Sequence, residues 1–351
     1  MNFSKIQEQL DNNRRSVAFD SYDITLKQLY DMVLEGMVDI APEYQRHFVW
    51  DSSRQSALIE SLFLGIPIPS LFMATNRDAS WEVIDGLQRL STILNFIGTK
   101  DELQDLNIKH QKLKLSGLEK LESMNGLYYE DLPKSMQFML QTRPLRVTVL
   151  NDRSDFNVRY DLFERLNTGG VTLHEQEIRN CVYIGEFNDF LKELSVNQDF
   201  RAVVKMTENA ERLGSYEELV LRFFAYHDDQ EQFVHSVKEF LNDFMEKKTN
   251  SFKDKKRLRE LFVKTFKALN DNLPEGIVRG ARKNVTPIVL YEAISVGCAK
   301  AINSGNQFDL SHLQDLLNDG ELKKCTTGAT NSKKMLNKRI RIVKDRLLNA
   351  V

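Results

Sequence analysis

Residues 81–97, Trp-Glu-Val-Ile-Asp-Gly-Leu-Gln-Arg-Leu-Ser-Thr-Ile-Leu-Asn-Phe-Ile, constrain the fold more than any other stretch of this chain. The first four alternate and carry β-branched Val83 and Ile84, the pattern of a short strand. Asp85-Gly86 is a tight-turn signal. Leu87, Leu90, Ile93, Leu94 and Ile97 then recur at helical spacing, which predicts an amphipathic helix. Gln88 and Arg89 fall in its first turn, where backbone N–H groups lack partners and the helix dipole is positive, a place suited to an anion. Two readings stay open from these residues alone. In one, Asp85 caps the helix and Arg89 pairs with it; in the other, a carboxylate, an amide and a guanidinium converge to hold a phosphorylated ligand.

Around this corner the first half of the chain reads as α+β and the second as all-α. Residues 24–38 place Leu26, Leu29, Tyr30, Val33 and Leu34 on one helical face, with Thr25 as N-cap and Gly36 near the end. Pro42 makes 40–50 extended or loop. Asp51-Ser52-Ser53 opens a helix over 54–64, ended by Gly65 and the rigid turn Ile66-Pro67-Ile68-Pro69. Ser70 to Ala74 and Arg143 to Leu150 read as strands, and 98–130 as an insertion of marginal helices. A helix over 155–166 runs into Asn167-Thr168-Gly169-Gly170, and Thr172-Leu-His-Glu175 has capping-box spacing. Helices are expected at 187–194, 215–227, 230–247, 253–270, 286–302, 310–318 and 332–348. The domains so read are 1–185 and 186–351.

Composition narrows the function classes. With 351 residues, about two domains are expected. Cys181, Cys298 and Cys325 form no C-x-x-C pair, which fits a reducing compartment and argues against a zinc ribbon. No apolar run approaches about 18 residues, so no membrane span is expected, and the polar start is no signal peptide; the expectation is a soluble cytoplasmic protein. The net charge of -2 hides a division. Residues 1–200 carry 21 Lys+Arg against 30 Asp+Glu, and residues 201–351 carry 27 against 20. The basic half is a candidate for nucleic acid, its rival being a solvated helical surface.

Two further constellations lie in the first half. Tyr44-Gln45-Arg46, between Pro42 and Trp50, offers a guanidinium beside aromatic rings, for phosphate or carboxylate recognition or for stacking on Trp50. Arg165-Leu-Asn167-Thr168-Gly169-Gly170 bares backbone N–H groups and adds side-chain donors, or forms only a C-cap and turn. In the second half, Lys255, Lys256 and Arg257 stand in a basic stretch, and Lys338, Arg339 and Arg341 share an amphipathic helix with Leu336, Ile340, Val343 and Leu347; both could contact phosphate backbones. There is no P-loop, no G-x-G-x-x-G after a strand, no H-E-x-x-H and no compact His-Asn-His nuclease motif. No metal site built from protein ligands is expected, whereas Mg²⁺ carried by nucleotide phosphates is compatible with the chain.

Taken in order, Tyr44-Gln45-Arg46 with Trp50, Ile59-Glu60-Ser61-Leu62 with Gly65-Ile-Pro-Ile-Pro69, Asp85-Gly86-Leu87-Gln88-Arg89-Leu90-Ser91-Thr92, and Phe163-Glu164-Arg165-Leu166-Asn167-Thr168-Gly169-Gly170 with Glu177-Ile-Arg179-Asn180 resemble the domain of unknown function 262 family. That is the GmrS-like N-terminal domain of GmrSD-type, modification-dependent restriction systems, and the resemblance covers roughly residues 20–185. It implies a ParB/sulfiredoxin-like fold followed by an all-α domain, and an NTP-binding, NTP-hydrolysing module of a restriction-modification-like anti-phage defence system, stimulated by DNA. Asp85, Gly86, Gln88 and Arg89 fall on the family's Asp-Gly-Gln-Gln-Arg motif, linked to nucleoside triphosphate hydrolysis, and Arg46 on the loop arginine that faces it. Tyr44, Gln45, Arg165, Asn167, Thr168 and Gly169 would complete the nucleotide pocket, and Mg²⁺ would enter with the triphosphate. Leu87 stands where the motif has its first Gln, which sets hydrolysis against a vestigial pocket in a toxin-like or scaffold protein. Any DNA cleavage would come from a separate nuclease subunit or be absent. The alternative function is a non-catalytic DNA-binding sensor acting with that partner, and an oligomer is compatible with either.

Overall fold

The computed structural model describes residues 3–13, 19–40, 50–76, 78–104, 112–151, 156–166, 173–280, 284–328 and 330–348. The chain divides into two compact units, Met1–Thr172 and Leu173–Val351, so the division falls earlier than residue 185. Residues 175–182, read above with the first unit, belong to the second.

In the first unit the described elements run α1 (Phe3–Asn13), β1 (Phe19–Thr25), α2 (Leu26–Leu34), β2 (Val38–Asp39), α3 (Ser52–Leu64), β3 (Leu71–Thr75), β4 (Trp81–Asp85), α4 (Leu87–Ile97), α5 (Lys100–Gln104), α6 (Lys134–Gln141), β5 (Pro144–Leu150) and α7 (Phe156–Leu166). The strands form one mixed sheet in the order β1-β5-β3-β4-β2. β1 is antiparallel to β5, β5 parallel to β3, β3 antiparallel to β4, and β4 parallel to β2. Buried Leu71, Met73, Val83, Val147 and Val149 of the sheet share a core with Leu29 and Val33 of α2, Ile59 and Leu62 of α3, and Leu90, Ile93 and Leu94 of α4. The helix ends follow the chemistry expected of them. Thr25 caps α2 by accepting from the Gln28 amide, Asp51 caps α3 by accepting from the Arg54 amide at 2.8 Å, and Gly65 closes α3 at φ +72°.

Two readings of the first unit and one at the start of the second need correction. The helix read over 24–38 is confined to Leu26–Leu34, with Ile24 and Thr25 in β1 and Val38 in β2; α1 and the rest of both strands carry no expectation above. β1 exposes its first five residues, so no alternation marks it; its pairing with β5 and the fork of Arg146 onto Asp23, at 2.7 and 2.9 Å, hold it at the sheet edge. Residues 112–130 are not a marginal insertion, because Leu113, Leu115, Leu118, Met124 and Tyr129 are buried in the main core. These residues form short turns rather than α-helices, so helical periodicity could not reveal their burial. The box read at Thr172–Glu175 begins two residues later, with Glu177 accepting from the His174 amide at 2.8 Å; Thr172 lies outside the described residues.

The second unit is helical throughout its described residues: α8 (Glu175–Val182), α9 (Glu186–Ser195), α10 (Gln198–Val203), α11 (Glu208–Arg212), α12 (Ser215–Asp228), α13 (Val237–Asn250), α14 (Lys255–Asn272), α15 (Ile288–Ile302), α16 (Leu313–Leu316), α17 (Gly320–Thr326) and α18 (Lys333–Leu348). The helix expected from 230 starts only at Val237, after a single 3₁₀ turn at Gln230–Gln232. α15 is apolar on nearly every side, the mark of a central helix. Around it Phe200, Phe223, Phe262 and Phe266 interlock with ring centroids 4.3–5.6 Å apart, contacts that add to plain burial. α18 crosses α15 so closely that a Cβ on Gly297 would lie 2.6 Å from Val343 Cβ.

A ladder of alternating charge runs through this core. Arg179 joins Glu175 at 3.0 Å and Glu218 at 3.2 Å; Arg222 joins Glu218 and Glu292, each at 2.7 Å; Arg339 joins Glu292 at 2.5 Å. Arg179, Glu292 and Arg339 are buried, and the ladder ties α8, α12, α15 and α18. Burial would raise the Glu218 carboxyl, but the charges of Arg222 and Arg179 outweigh it and hold that group below its ordinary value. Buried charges of this kind persist only where each meets its opposite.

Candidate phosphate site at a strand-to-helix corner

The corner predicted from residues 81–97 forms as a strand, β4, and a helix, α4, joined by Gly86 alone. Phe72 of β3 faces Asp85 and Met73 faces Val83, so β4 carries one extra residue at Ile84, a bulge placed immediately before the carboxylate. Bulges re-aim the residues beside them and recur near functional sites. Gly86 sits at φ +100°, and a Cβ there would lie 2.3 Å from Leu71 Cδ2 and 3.2 Å from Arg89 Nη2. Both the left-handed backbone and the lack of room demand glycine.

Of the two readings left open above, the ion pair is present and the cap is not. Arg89 Nη2 donates to Asp85 Oδ2 at 2.6 Å. The N-cap of α4 is Gly86, which has no side chain to offer, and among the described residues no side chain caps this terminus. The Leu90 amide reaches the Gly86 carbonyl at 2.8 Å, so the helical bonds begin there. Arg89 is 8% exposed and its Nη1 donates to the carbonyls of Pro69 and Ser70, the latter at 3.1 Å. Burial pulls its guanidinium below the ordinary value while the Asp85 charge opposes that shift. The side chain of Asp85, by contrast, is 35% exposed. Arg89 is thus turned inward as a brace for the carboxylate and for the end of the Ile-Pro-Ile-Pro turn, and the group the corner shows to solvent is Asp85. This revises the expected clamp of Arg89 on phosphate.

A second set of bonds joins the first turns of α3 and α4. The Trp50 amide donates to Gln88 Oε1 at 3.2 Å, and Gln55 Nε2 donates to the Trp50 carbonyl at 2.9 Å. Among the described residues, the guanidinium of Arg54 stands over the Trp50 ring, 4.8 Å from its centroid. Gln55 escaped the sequence reading. The signal was there, since Gln55 stands at helical spacing with Leu58, Ile59 and Leu62 on an apolar face, where a glutamine needs a partner.

Tyr44, Gln45, Arg46, Asn167, Thr168 and Gly169 lie outside the described residues. Arg165 is exposed in the last turn of α7, which packs against β4 and is tied to β3 by Arg159 donating to the Thr75 carbonyl. Among the described residues no group of three or more His, Cys, Asp or Glu side chains is placed to hold a metal ion. The three cysteines are buried thiols outside any disulfide, and burial pushes the Cys298 thiol up to about 12, far from a reactive thiolate.

The basic residues of the second unit are placed differently from one another. Arg339 is turned inward onto Glu292 and the Thr330 carbonyl and is 2% exposed, so it cannot reach a nucleic acid; the helical phase that put it among surface lysines also put it against α15. Lys255 pairs with Glu186, and Arg257 with Asp228 and Asp254. Lys256 is exposed. Lys338 and Arg341 line a cleft of about 660 Å³ together with Asp315, Asp319, Glu321 and Asp345. Phosphates entering it would meet carboxylates as well as cations.

Residues 26–184 match the family model described as the N-terminal domain of the GmrSD restriction endonuclease. The match takes in the Asp85–Arg89 corner, α7 and α8. No curated protein matches the chain. Among solved structures, a Pnob8-like ParB-N domain aligns with 95% of this chain and 99% of its own, at 12% identity and a TM-score of 0.22, a likeness too slight to bear on the fold. No helix of the described residues is long and apolar enough to cross a membrane.

Proposed function

We propose that this GmrSD-type N-terminal domain binds a nucleoside triphosphate with Mg²⁺ at the Asp85–Arg89 corner and hydrolyses it, as the regulatory module of a restriction-like anti-phage system whose DNA cleavage comes from a partner nuclease. One observation carries the reading: a helix N-terminus that no side chain of the described residues caps stands beside a carboxylate that remains one-third exposed. The amides of the first turn of α4 suit phosphate oxygens. A carboxylate alone would repel those oxygens, but a hard cation between them reverses the sign, and Mg²⁺ is commonly held by one or two carboxylates plus the substrate's phosphates. Asp85 is the residue that would hold Mg²⁺, and the ion would neutralise charge on the transferring phosphoryl group. Arg89 keeps Asp85 in place, Gly86 lets the backbone approach, and Gln88 lies in the same turn. Positioning and charge of this kind supply most of phosphoryl-transfer catalysis.

The test is phosphate release from ATP and GTP, with and without DNA, by the wild type and by Asp85→Asn. Release by the wild type and its loss in the variant support the reading. Release at the same rate in Asp85→Asn, or none from any nucleotide, overturns it. The non-catalytic DNA sensor predicts DNA affinity that falls steeply with salt and no phosphate release. The pairing of Lys255 and Arg257 with carboxylates and the burial of Arg339 weigh against it.

A further inference from the structure

We propose that β1 is a self-pairing edge: two copies of this chain join β1 to β1, antiparallel, about a two-fold axis at Tyr22, and so make one continuous sheet from both first units. This stands apart from the proposed function and does not rest on it.

The two edges of the sheet differ. On one side β2 is only two residues long. On the other, β1 runs for seven residues in unbroken register with β5. An open edge invites pairing with another chain, and proteins blunt such edges with short strands, lysine, proline, bulges or a covering segment. β2 is blunted by its length. β1, Phe-Asp-Ser-Tyr-Asp-Ile-Thr, has no lysine, proline or bulge. Its residues 19–23 are exposed in succession, Phe19 and Tyr22 included, so both faces of that stretch are open to solvent.

The register tells which backbone groups point outward. In an antiparallel pair, residues alternate between bonding to the neighbour and turning their N–H and C=O away from it. The Leu26 amide donates to the Arg143 carbonyl at 3.0 Å, one step beyond the facing pair Thr25 and Pro144. Counting back by twos, Ile24, Tyr22 and Asp20 bond to β5, whereas Thr25, Asp23, Ser21 and Phe19 turn outward. Pro144, which has no N–H, duly falls in a pair that exchanges no bonds. Among the described residues no backbone bond reaches the outward groups of Phe19, Ser21 and Asp23.

The strand is its own complement. With the axis at Tyr22, Ser21 meets Asp23 of the second copy and Phe19 meets its Thr25, about six backbone hydrogen bonds in all. Tyr22 meets its own counterpart in a close pair without backbone bonds, an arrangement in which aromatic side chains stabilise a sheet. Its ring is already seated on Trp81, with centroids 5.5 Å apart. Asp20 falls opposite Ile24 and about 13 Å along the strand from its own counterpart. The Asp23 carboxylate is matched within its own chain by Arg146. No like charges therefore stand directly opposite one another. The pairing closes after two copies and leaves only the short β2 edges, so it yields a discrete dimer and not a fibre.

The experiment measures mass by light scattering after size exclusion, from about 1 to about 100 µM protein, for the wild type and Ser21→Pro. The wild type is expected to reach twice the chain mass. Ser21→Pro removes an outward N–H and spares the bonds to β5, the edge position that proline tolerates. It should remain monomeric at every concentration and keep the wild-type far-UV circular dichroism. Cross-linking supplies the second measurement. Tyr22→Cys should form an intermolecular disulfide under mild oxidation, because the facing Cα atoms would stand about 4.5 Å apart, and Asp20→Cys should not; the chain's own cysteines are buried. A wild type that stays monomeric, a folded Ser21→Pro that still dimerises, or Asp20→Cys cross-linking as readily as Tyr22→Cys would overturn the proposal. If Ser21→Pro fails to fold, the contrast between the two cysteine variants decides alone.

Discussion

Two clusters of charge in this molecule use the same pairing of guanidinium and carboxylate to opposite ends. In the second unit the ladder from Glu175 to Arg339 is matched along its buried length and open to solvent only at its Glu175 end: Glu218 and Glu292 each meet two arginines, and Glu292 is 2% exposed. At the Asp85–Arg89 corner the arginine is likewise buried, but its carboxylate is left partly in water beside a helix end that no described side chain caps. A network matched throughout its buried length can only hold the fold together. One that stops short of that leaves a group for something else to complete, and for that reason the corner, and not the more elaborate ladder, is assigned the ligand.

The comparison breaks first if the ladder is not structural. Glu292→Ala leaves Arg222 and Arg339 buried without their shared partner and should cost about 3–5 kcal/mol in urea unfolding, the scale of an opened buried ion pair; nucleotide affinity of the folded protein should not change. A loss under about 1 kcal/mol would show that water or rearrangement compensates these arginines. Next comes Gly86→Ala, where the positive φ costs about 1–2 kcal/mol before the contact with Leu71 is added; calorimetric unfolding should show a drop of about 2 kcal/mol or more, and binding should fall with it. Asp85→Asn inverts the pattern of Glu292→Ala. It removes the counter-charge of one buried guanidinium, which keeps the Pro69 and Ser70 carbonyls, and should cost less than Glu292→Ala, which strands two arginines, while Mg²⁺-dependent nucleotide binding is lost.

Acid sharpens the contrast within the second unit. Burial would raise the Asp228 carboxyl, yet the hydrogen bonds of His227 and Arg257 outweigh it and hold the group well below the usual carboxylate range. A carboxyl depressed in the folded state adds stability at pH values above its unfolded pKa of about 3.9, and that stability is lost as pH falls from there through the folded value. Urea midpoints measured from pH 5 down to pH 2 should therefore fall less steeply for Asp228→Asn than for the wild type; parallel slopes would refute the assignment. The smallest effects are expected at the surface. Lys256→Ala and Arg341→Ala should each change stability by less than about 0.5 kcal/mol and leave retention on DNA within about twofold, and a tenfold loss from either would revive the DNA-sensor reading.

How much of this was legible in the sequence follows from how each element earns its place. The corner was readable to within a residue because β-branched alternation, an Asp-Gly turn and helical spacing all agree there, and local signals that agree are the ones that survive folding. Thr25, Asp51 and Gly65 were readable as helix ends for the same reason. β1 was not, since its burial is almost nil and its partner, β5, lies far along the chain. Residues 112–130 hid because a buried segment without regular structure has no period to detect. At the site, the pairing of Asp85 with Arg89 could be read from their spacing, but which of the two faces solvent could not. That depended on the carbonyls of Pro69 and Ser70, supplied by a turn whose position only the assembled sheet defines. Gln55 illustrates the same limit: its spacing marks it as buried, and only the structure reveals that it holds the peptide bonded to Gln88.

The most direct test of the account is isothermal titration of GTP and ATP into the wild type and Asp85→Asn, each with Mg²⁺ and with EDTA. The account predicts binding to the wild type that requires Mg²⁺ and weakens at least about tenfold in Asp85→Asn, the scale of a hydrogen bond or ligand contact to a charged group. Equal affinity of the two proteins, or wild-type binding unaffected by EDTA, would contradict it.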